Sequence, residues 1–230
     1  MAQTLNRVLI AVTSANLKFW PLGLKTGYFW TEVLHPYETF KNHGYEVDLV
    51  SETGTTGMDE SSSIYAQIDG ESRRALNDKT HPLHELWSWS CFDFPKATGL
   101  QRIGSSIYQN GGVIGSLCHG PAIFANLKVN NQLLIKGKKV TAFTKGGEKL
   151  MMATDRLKEH NLPFMEDLLR DLGADWQEPP NINPMSEFVV VDGRLVSGVN
   201  PASASIVAQK AVEIVKGVHV DDKQPKKSIF

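Results

Sequence analysis

The chain has 230 residues, 41% of them hydrophobic and 21% charged, with a formal net charge of −1. That length suits one domain with an ample core, and a near-neutral balance without a basic block argues against nucleic acid or an anionic membrane as partner. Two cysteines, Cys91 and Cys118, make no disulfide framework and fit a soluble protein in a reducing compartment.

The apolar run at residues 8–12 is too short for a signal-peptide core or a spanning helix. "RVLIAVTSA" reads instead as a strand buried on both faces. "EVLHPYETFKNHGYEVDLVSE" predicts a helix ending near Gly44, restarted or kinked at Pro36, and then a strand over residues 45–51. In "LWSWS" the alternation of Trp87 and Trp89 suggests one more short strand. "KATGLQRIGSSIYQNGG" predicts a helix with Leu100, Ile103 and Ile107 on its apolar face, stopped at Gly111 and Gly112.

"VIGSL" follows as a strand and "GPAIFANL" as the start of a helix. Residues 138–143 form another strand, and "EFVVVDGRLVSG" a hairpin turned at Asp192-Gly193. "NPASASIVAQKAVEIVKG" closes the chain as a helix capped by Asn200, with Pro201 in its first turn and Ile206, Val207, Val212 and Val215 on its apolar face. Strands alternating with helices predict one α/β domain over residues 1–220, a mainly parallel sheet flanked by helices; residues 221–230 are expected to form a loose tail.

Ligands of such sheets gather at the carboxyl ends of strands, and Cys118 falls there, between "VIGSL" and the helix expected near Pro121. A strand, a Cys-His pair, Gly-Pro and a helix make the pattern of a nucleophile elbow with sulfur in place of oxygen. An arbitrary cysteine is more often a small buried hydrophobe, but this context selects a nucleophile. A helix N-terminus beside the sulfur is expected to lower its pKa from about 8.5 into the range of roughly 3.5–7.5. His81 and His84 in "HPLHE" lack a clustered third ligand and do not make a zinc site.

The motifs "GSLCHGPAIF", "KTGYFWTEVLHPYETF", "GYEVDLVSETG", "FDFPKA" and "VSGVNPASA" together resemble the ThiJ/PfpI superfamily, and within it the fungal heat-shock type of glutathione-independent glyoxalase, or glyoxalase III. The resemblance implies a flavodoxin-like fold, a homodimer, a cytoplasmic and also nuclear location, and conversion of methylglyoxal and water to D-lactate without glutathione, metal or other cofactor. It makes Cys118 the nucleophile, His119 its histidine, Glu148 the acidic partner of that histidine, and Glu32 the carboxyl group against the thiol. Taken without the resemblance, Glu32 reads as a surface residue of an amphipathic helix, Glu148 as a solvated helix-start residue and His119 as a structural histidine.

One departure stands out. The family carries a central strand and a glycine–histidine–glycine loop immediately before "FDFPKA", and this chain has no counterpart immediately before Phe92. The loop gives the family pocket an N–H, and losing one such donor costs on the order of 10²–10³ in rate. A stress-response chaperone binding unfolded proteins, or a redox sensor, is therefore the alternative on the same fold. A cysteine hydrolase of the protease or amidotransferase type ranks third.

Overall fold

The computed structural model describes residues 6–85, 93–180 and 186–218. The chain opens with β1 (Arg7–Ala11) and a small hairpin of β2 (Leu17–Lys18) and β3 (Lys25–Thr26), followed by α1 (Trp30–Asn42) and β4 (Glu46–Val50). Two short helices come next, α2 (Ser62–Tyr65) and α3 (Gly70–Asn77), then α4 (Thr98–Gln109) and β5 (Ile114–Leu117). Beyond them lie a hairpin of β6 (Lys128–Val129) and β7 (Gln132–Leu133), β8 (Lys139–Val140), three helices, α5 (Lys145–Leu150), α6 (Thr154–Glu159) and α7 (Met165–Asp171), and β9 (Asp175–Trp176). The hairpin of β10 (Val189–Asp192) and β11 (Leu195–Gly198) leads to the closing helix α8 (Ala204–Val215).

β1 pairs in parallel with β4, Arg7 opposite Glu46 and Ala11 opposite Val50. β5 pairs in parallel with β11, Leu117 opposite Gly198, and β11 pairs antiparallel with β10. The hairpin turns at Gly193, whose φ of 62° suits a residue without Cβ. Among the described residues no strand joins β1 to β5, so two sheets stand where one continuous sheet would otherwise run. The expected strand in "LWSWS" and the Cys91 position fall within residues 86–92, outside the described residues, as does the expected tail.

Just past residues 86–92, the Asp93 carboxylate accepts hydrogen bonds from the Thr13 hydroxyl and, at 2.5 Å, from the Ser14 N–H. This ties the "FDFPKA" segment to the carboxyl end of β1. One core lies under α1, built from Val12, Tyr28, Trp30, Val33, Leu34 and Leu83. A second gathers Phe94, Leu100, Phe124, Ile135, Val140 and Leu169. Among the described residues no helix is long and apolar enough to cross a membrane.

Two helices turn differently from expectation. In α4, Leu100 is buried but Ile103 is 43% exposed. Gln101 takes the inner position and donates to the Phe94 and Pro95 carbonyls. The rotation follows from Gly104, where a Cβ would come within 2.8 Å of Leu127; the glycine lets that leucine pack onto the helix itself. In α8, Val207 and Val212 point inward, yet Val215 is exposed, and Ala204, Ala208 and Ala211 complete the inner face. Small residues there let the helix lie close on the sheet, where Val207 touches the ideal Cβ positions of Gly115 and Gly198.

Removing the Asp93 clamp leaves a buried hydroxyl and an amide without their acceptor. Asp93→Ala is expected to lower the unfolding free energy by about 2 kcal/mol in urea titrations; an unchanged midpoint would show that the two sheets do not depend on it.

Candidate active site

β5 ends at Leu117, and the next residue breaks the strand: Cys118 has φ 55°, in the left-handed region that side chains with a Cβ rarely adopt. Such a conformation costs about 1–3 kcal/mol and persists only where the surroundings hold it. Here the Cys118 N–H donates to the Gly198 carbonyl at 3.0 Å, and the Cys118 carbonyl accepts from the Phe143 N–H at 3.0 Å. The elbow is therefore fixed between β11 and the residues that follow β8. Gly120–Ala125 then form a 3-10 helix in place of the expected α-helix.

His119 and Glu148 come together as expected. His119 Nδ1 lies 3.3 Å from Cys118 Sγ, and Nε2 lies 2.6 Å from Glu148 Oε1. Glu148 sits in the first turn of α5, which Thr144 caps by accepting from the Gly147 N–H. That turn can approach because Gly147 has no side chain: a Cβ there would come within 2.8 Å of Phe143. The Phe143 ring supports the imidazole, centroid to centroid 5.1 Å. Nothing in the spacing of the sequence marks Phe143; only its packing against both His119 and Gly147 does.

Glu32 approaches from a different element, the first turn of α1. The helix runs through Pro36, whose missing N–H takes the usual i+4 donor away from the Glu32 carbonyl. The Glu32 carboxyl group is buried where it and the Cys118 thiol act on each other's protonation, and its Oε1 is sealed from solvent with no hydrogen-bond partner. A buried unpaired carboxyl oxygen is costly and points to a functional position.

Burial sets the charges. It pushes Glu32 up to about 7, although the Cys118 hydrogen bond and His119 pull it back. It pushes the Cys118 thiol well above its ordinary value, with the neighbouring Glu32 and Glu148 carboxylates acting in the same direction and the His119 N–H against it. Burial also opposes a charged His119, but the Glu148 carboxylate outweighs it and the imidazole is held above its ordinary value. The expected low-pKa thiolate is thus overturned. The sulfur is buried between carboxyl groups, and no α-helix N-terminus follows it to offset them.

His81 and His84 are engaged elsewhere. His81 Nε2 lies 3.2 Å from Glu38 and His84 Nε2 lies 3.2 Å from the Ala75 carbonyl, both rings against Trp30. Among the described residues no group of three or more His, Cys, Asp or Glu is placed to hold a metal.

A strained cysteine at a strand end, a histidine and acid behind it and a second carboxyl group against the thiol define an α/β protein of the ThiJ/PfpI type. A ThiJ/PfpI domain protein from Brachyspira murdochii shares this fold at TM-score 0.54 and 15% identity, over 93% of this chain and 98% of that one. The crystal structure of glyoxalase III from Candida albicans superposes at TM-score 0.85 with 38% identity, covering 91% of this chain and 97% of that one. The glutathione-independent glyoxalase HSP31 of Saccharomyces cerevisiae is 38% identical over 234 residues, taking in 91% of this chain and 98% of the yeast protein. No family model matches the chain. On these relatives, the chain belongs to the glutathione-independent glyoxalase family. The yeast alignment is longer than this whole chain while leaving part of it out, so residues present in the relative are missing within the matched region.

The Glu32 shift has a sign that unfolding can test. With a folded pKa of about 7 against 4.5, the folded state favours the protonated carboxyl. That stability is complete below pH 4.5 and is lost as pH rises through 7. The loss approaches an order of 3 kcal/mol at high pH. Glu32→Gln is therefore expected to gain on the wild type in melting temperature as pH rises from 4.5 to 7, with the difference levelling off above 7; parallel melting curves between pH 4.5 and 7 would refute the buried carboxyl.

Proposed function

We propose that the protein is a glutathione-independent glyoxalase that converts methylglyoxal and water to D-lactate on Cys118, with the expected single domain over residues 1–220, working as a homodimer in cytoplasm and nucleus. Family membership supports the substrate class, a small α-oxoaldehyde. The observation that carries the residue roles is the wholly buried Glu32 carboxyl group acting on Cys118, with one of its oxygens left without a hydrogen-bond partner.

In this reading the thiol gives its proton up to Glu32 as the sulfur adds to the aldehyde carbon. A C–S bond forms, Glu32 hands the proton on to the carbonyl oxygen, which becomes a hydroxyl, and the product is a hemithioacetal beside an intact ketone. A base then removes the hydrogen from the former aldehyde carbon, and the electron pair moves to the ketone oxygen as an enediolate. Return of a proton to the adjacent carbon, on one face, with the hydroxyl proton of the former aldehyde carbon passing to the neighbouring oxygen, leaves a lactoyl thioester on Cys118. Water adds to the thioester carbonyl, the C–S bond breaks, and lactate and the thiol are released. No net oxidation occurs, because one carbon is oxidised as its neighbour is reduced.

Glu32 carries the protons because a carboxyl group titrating at about 7 gives and takes them at similar cost near neutral pH. His119, turned by the Glu148 bond, keeps Nδ1 toward the sulfur and steadies charge as it develops. The Cys118 N–H is committed to Gly198, so any oxyanion donor comes from other amides of the elbow.

D-lactate formation from methylglyoxal, measured enzymatically, tests the assignment. Cys118→Ala and Glu32→Gln are expected to lose activity by 10³-fold or more, on the order of removing a nucleophile or its base, and Glu148→Gln by about 10–100-fold. A folded wild type that makes no D-lactate, or a Cys118→Ala protein that keeps it, would overturn the reading.

A further inference from the structure

The first turn of α1 holds Glu32, yet its own N-cap residue, Phe29, makes no side-chain cap hydrogen bond. The cap comes from another part of the chain. The Trp30 N–H donates to Ser62 Oγ at 3.2 Å, and that hydroxyl donates to the Asp59 carbonyl at 2.7 Å. The Ser62 N–H returns to Asp59 Oδ1 at 3.2 Å.

Asp59 is 1% exposed and its carboxylate is surrounded by donors. Oδ2 accepts from the Trp20 indole at 2.7 Å and the Thr26 hydroxyl at 2.9 Å. Oδ1 accepts from the Ser61 N–H at 2.9 Å and from the Ser61 hydroxyl. Every one of these donors is neutral, so the carboxylate is solvated by the protein while its charge is left uncancelled. The backbone locks the same place. The Asp59 N–H donates to the Tyr28 carbonyl, the Tyr28 N–H donates to the Gly57 carbonyl, and a Cβ on Gly27 would lie 1.8 Å from the Gly57 oxygen.

We propose that Asp59 is a positioning residue for the Cys118–Glu32 pair: through Ser62 it fixes the first turn of α1 and so aims Glu32 at the thiol. The other charged or titratable groups acting on Glu32 are Cys118 and His119, and both draw it toward the ionised form, whereas Asp59 opposes them. Elsewhere on α1, His35 lies 3.6 Å from Asp69 and Glu38 lies 3.2 Å from His81, while His84 packs on Trp30 and Tyr65 on Phe29. The inference rests on the reading of Glu32 as proton carrier.

The test uses two readouts on the full chain. Alkylation of Cys118 by iodoacetamide, followed by mass spectrometry on the Cys118 peptide, reports the thiol's pH dependence without needing turnover. The pH profile of kcat/KM for methylglyoxal reports it in catalysis. Asp59→Asn keeps the shape and removes the charge; its acid limb is expected about 0.5 pH unit or more below that of the wild type in both readouts. Ser62→Ala keeps the charge and removes the cap; kcat is expected to fall about 10-fold with KM and the midpoint unchanged, and Ser62→Thr to restore it. A folded Asp59→Asn protein with an unmoved midpoint overturns the proposal. If that variant does not fold, Ser62→Ala at wild-type kcat overturns it. A wild type that makes no lactate, together with an Asp59→Asn protein whose alkylation midpoint is shifted from it, would sink the glyoxalase reading and leave this one standing.

Discussion

Two acidic groups, the Glu32 carboxyl and the Cys118 thiol, are buried against each other, and they cannot both be ionised there. Loss of a proton from one therefore opposes its loss from the other. The groups around the site set that balance. Glu148 favours the protonated form of His119, which in turn favours negative charge on the pair; Asp59 and the burial itself favour the proton's retention. A nucleophile kept as a thiol until an aldehyde arrives is protected from stray oxidation and alkylation, since the thiolate is the reactive form.

Holding that pair takes three elements from distant parts of the sequence. β5 delivers Cys118, α1 delivers Glu32 and α5 delivers the Glu148 that orients His119. The left-handed turn at Cys118 is maintained by β11 on one side and Phe143 on the other. Within the described residues β1 and β5 belong to separate sheets. The Asp93 clamp and the helix α8, which packs on α1, β5 and β11, join the two halves.

Much of this was legible because it rests on local rules. The strands β1 and β5, the Asp192-Gly193 hairpin and the Asn200 cap follow from spacing and turn chemistry and are in place, although β1 ends at Ala11 and is only half-buried where burial on both faces was expected. Helix faces were less legible. Periodicity put Ile103 and Val215 inside, but glycines and alanines elsewhere decided which side could come close, a tertiary matter that hydrophobic counting misses. The thiol's charge was misread for a similar reason. A helix N-terminus is a local feature, whereas the carboxyl group burying against Cys118 comes from a helix 86 residues away. Glu32 looked like a surface residue until the family motif marked it, and "GMDESS" reads as an ordinary turn. Only the fold brings its Asp59 and Ser62 under the first turn of α1.

The central claim is that the chemistry passes through a covalent bond to Cys118. Rapid-quench mass spectrometry of the wild type mixed with methylglyoxal tests it directly. The account predicts a substrate-mass adduct on the Cys118 peptide that forms before lactate appears, decays at the rate of turnover and is cleaved by hydroxylamine as a thioester. Turnover with no adduct on Cys118, or with one that persists after the substrate is consumed, would contradict it.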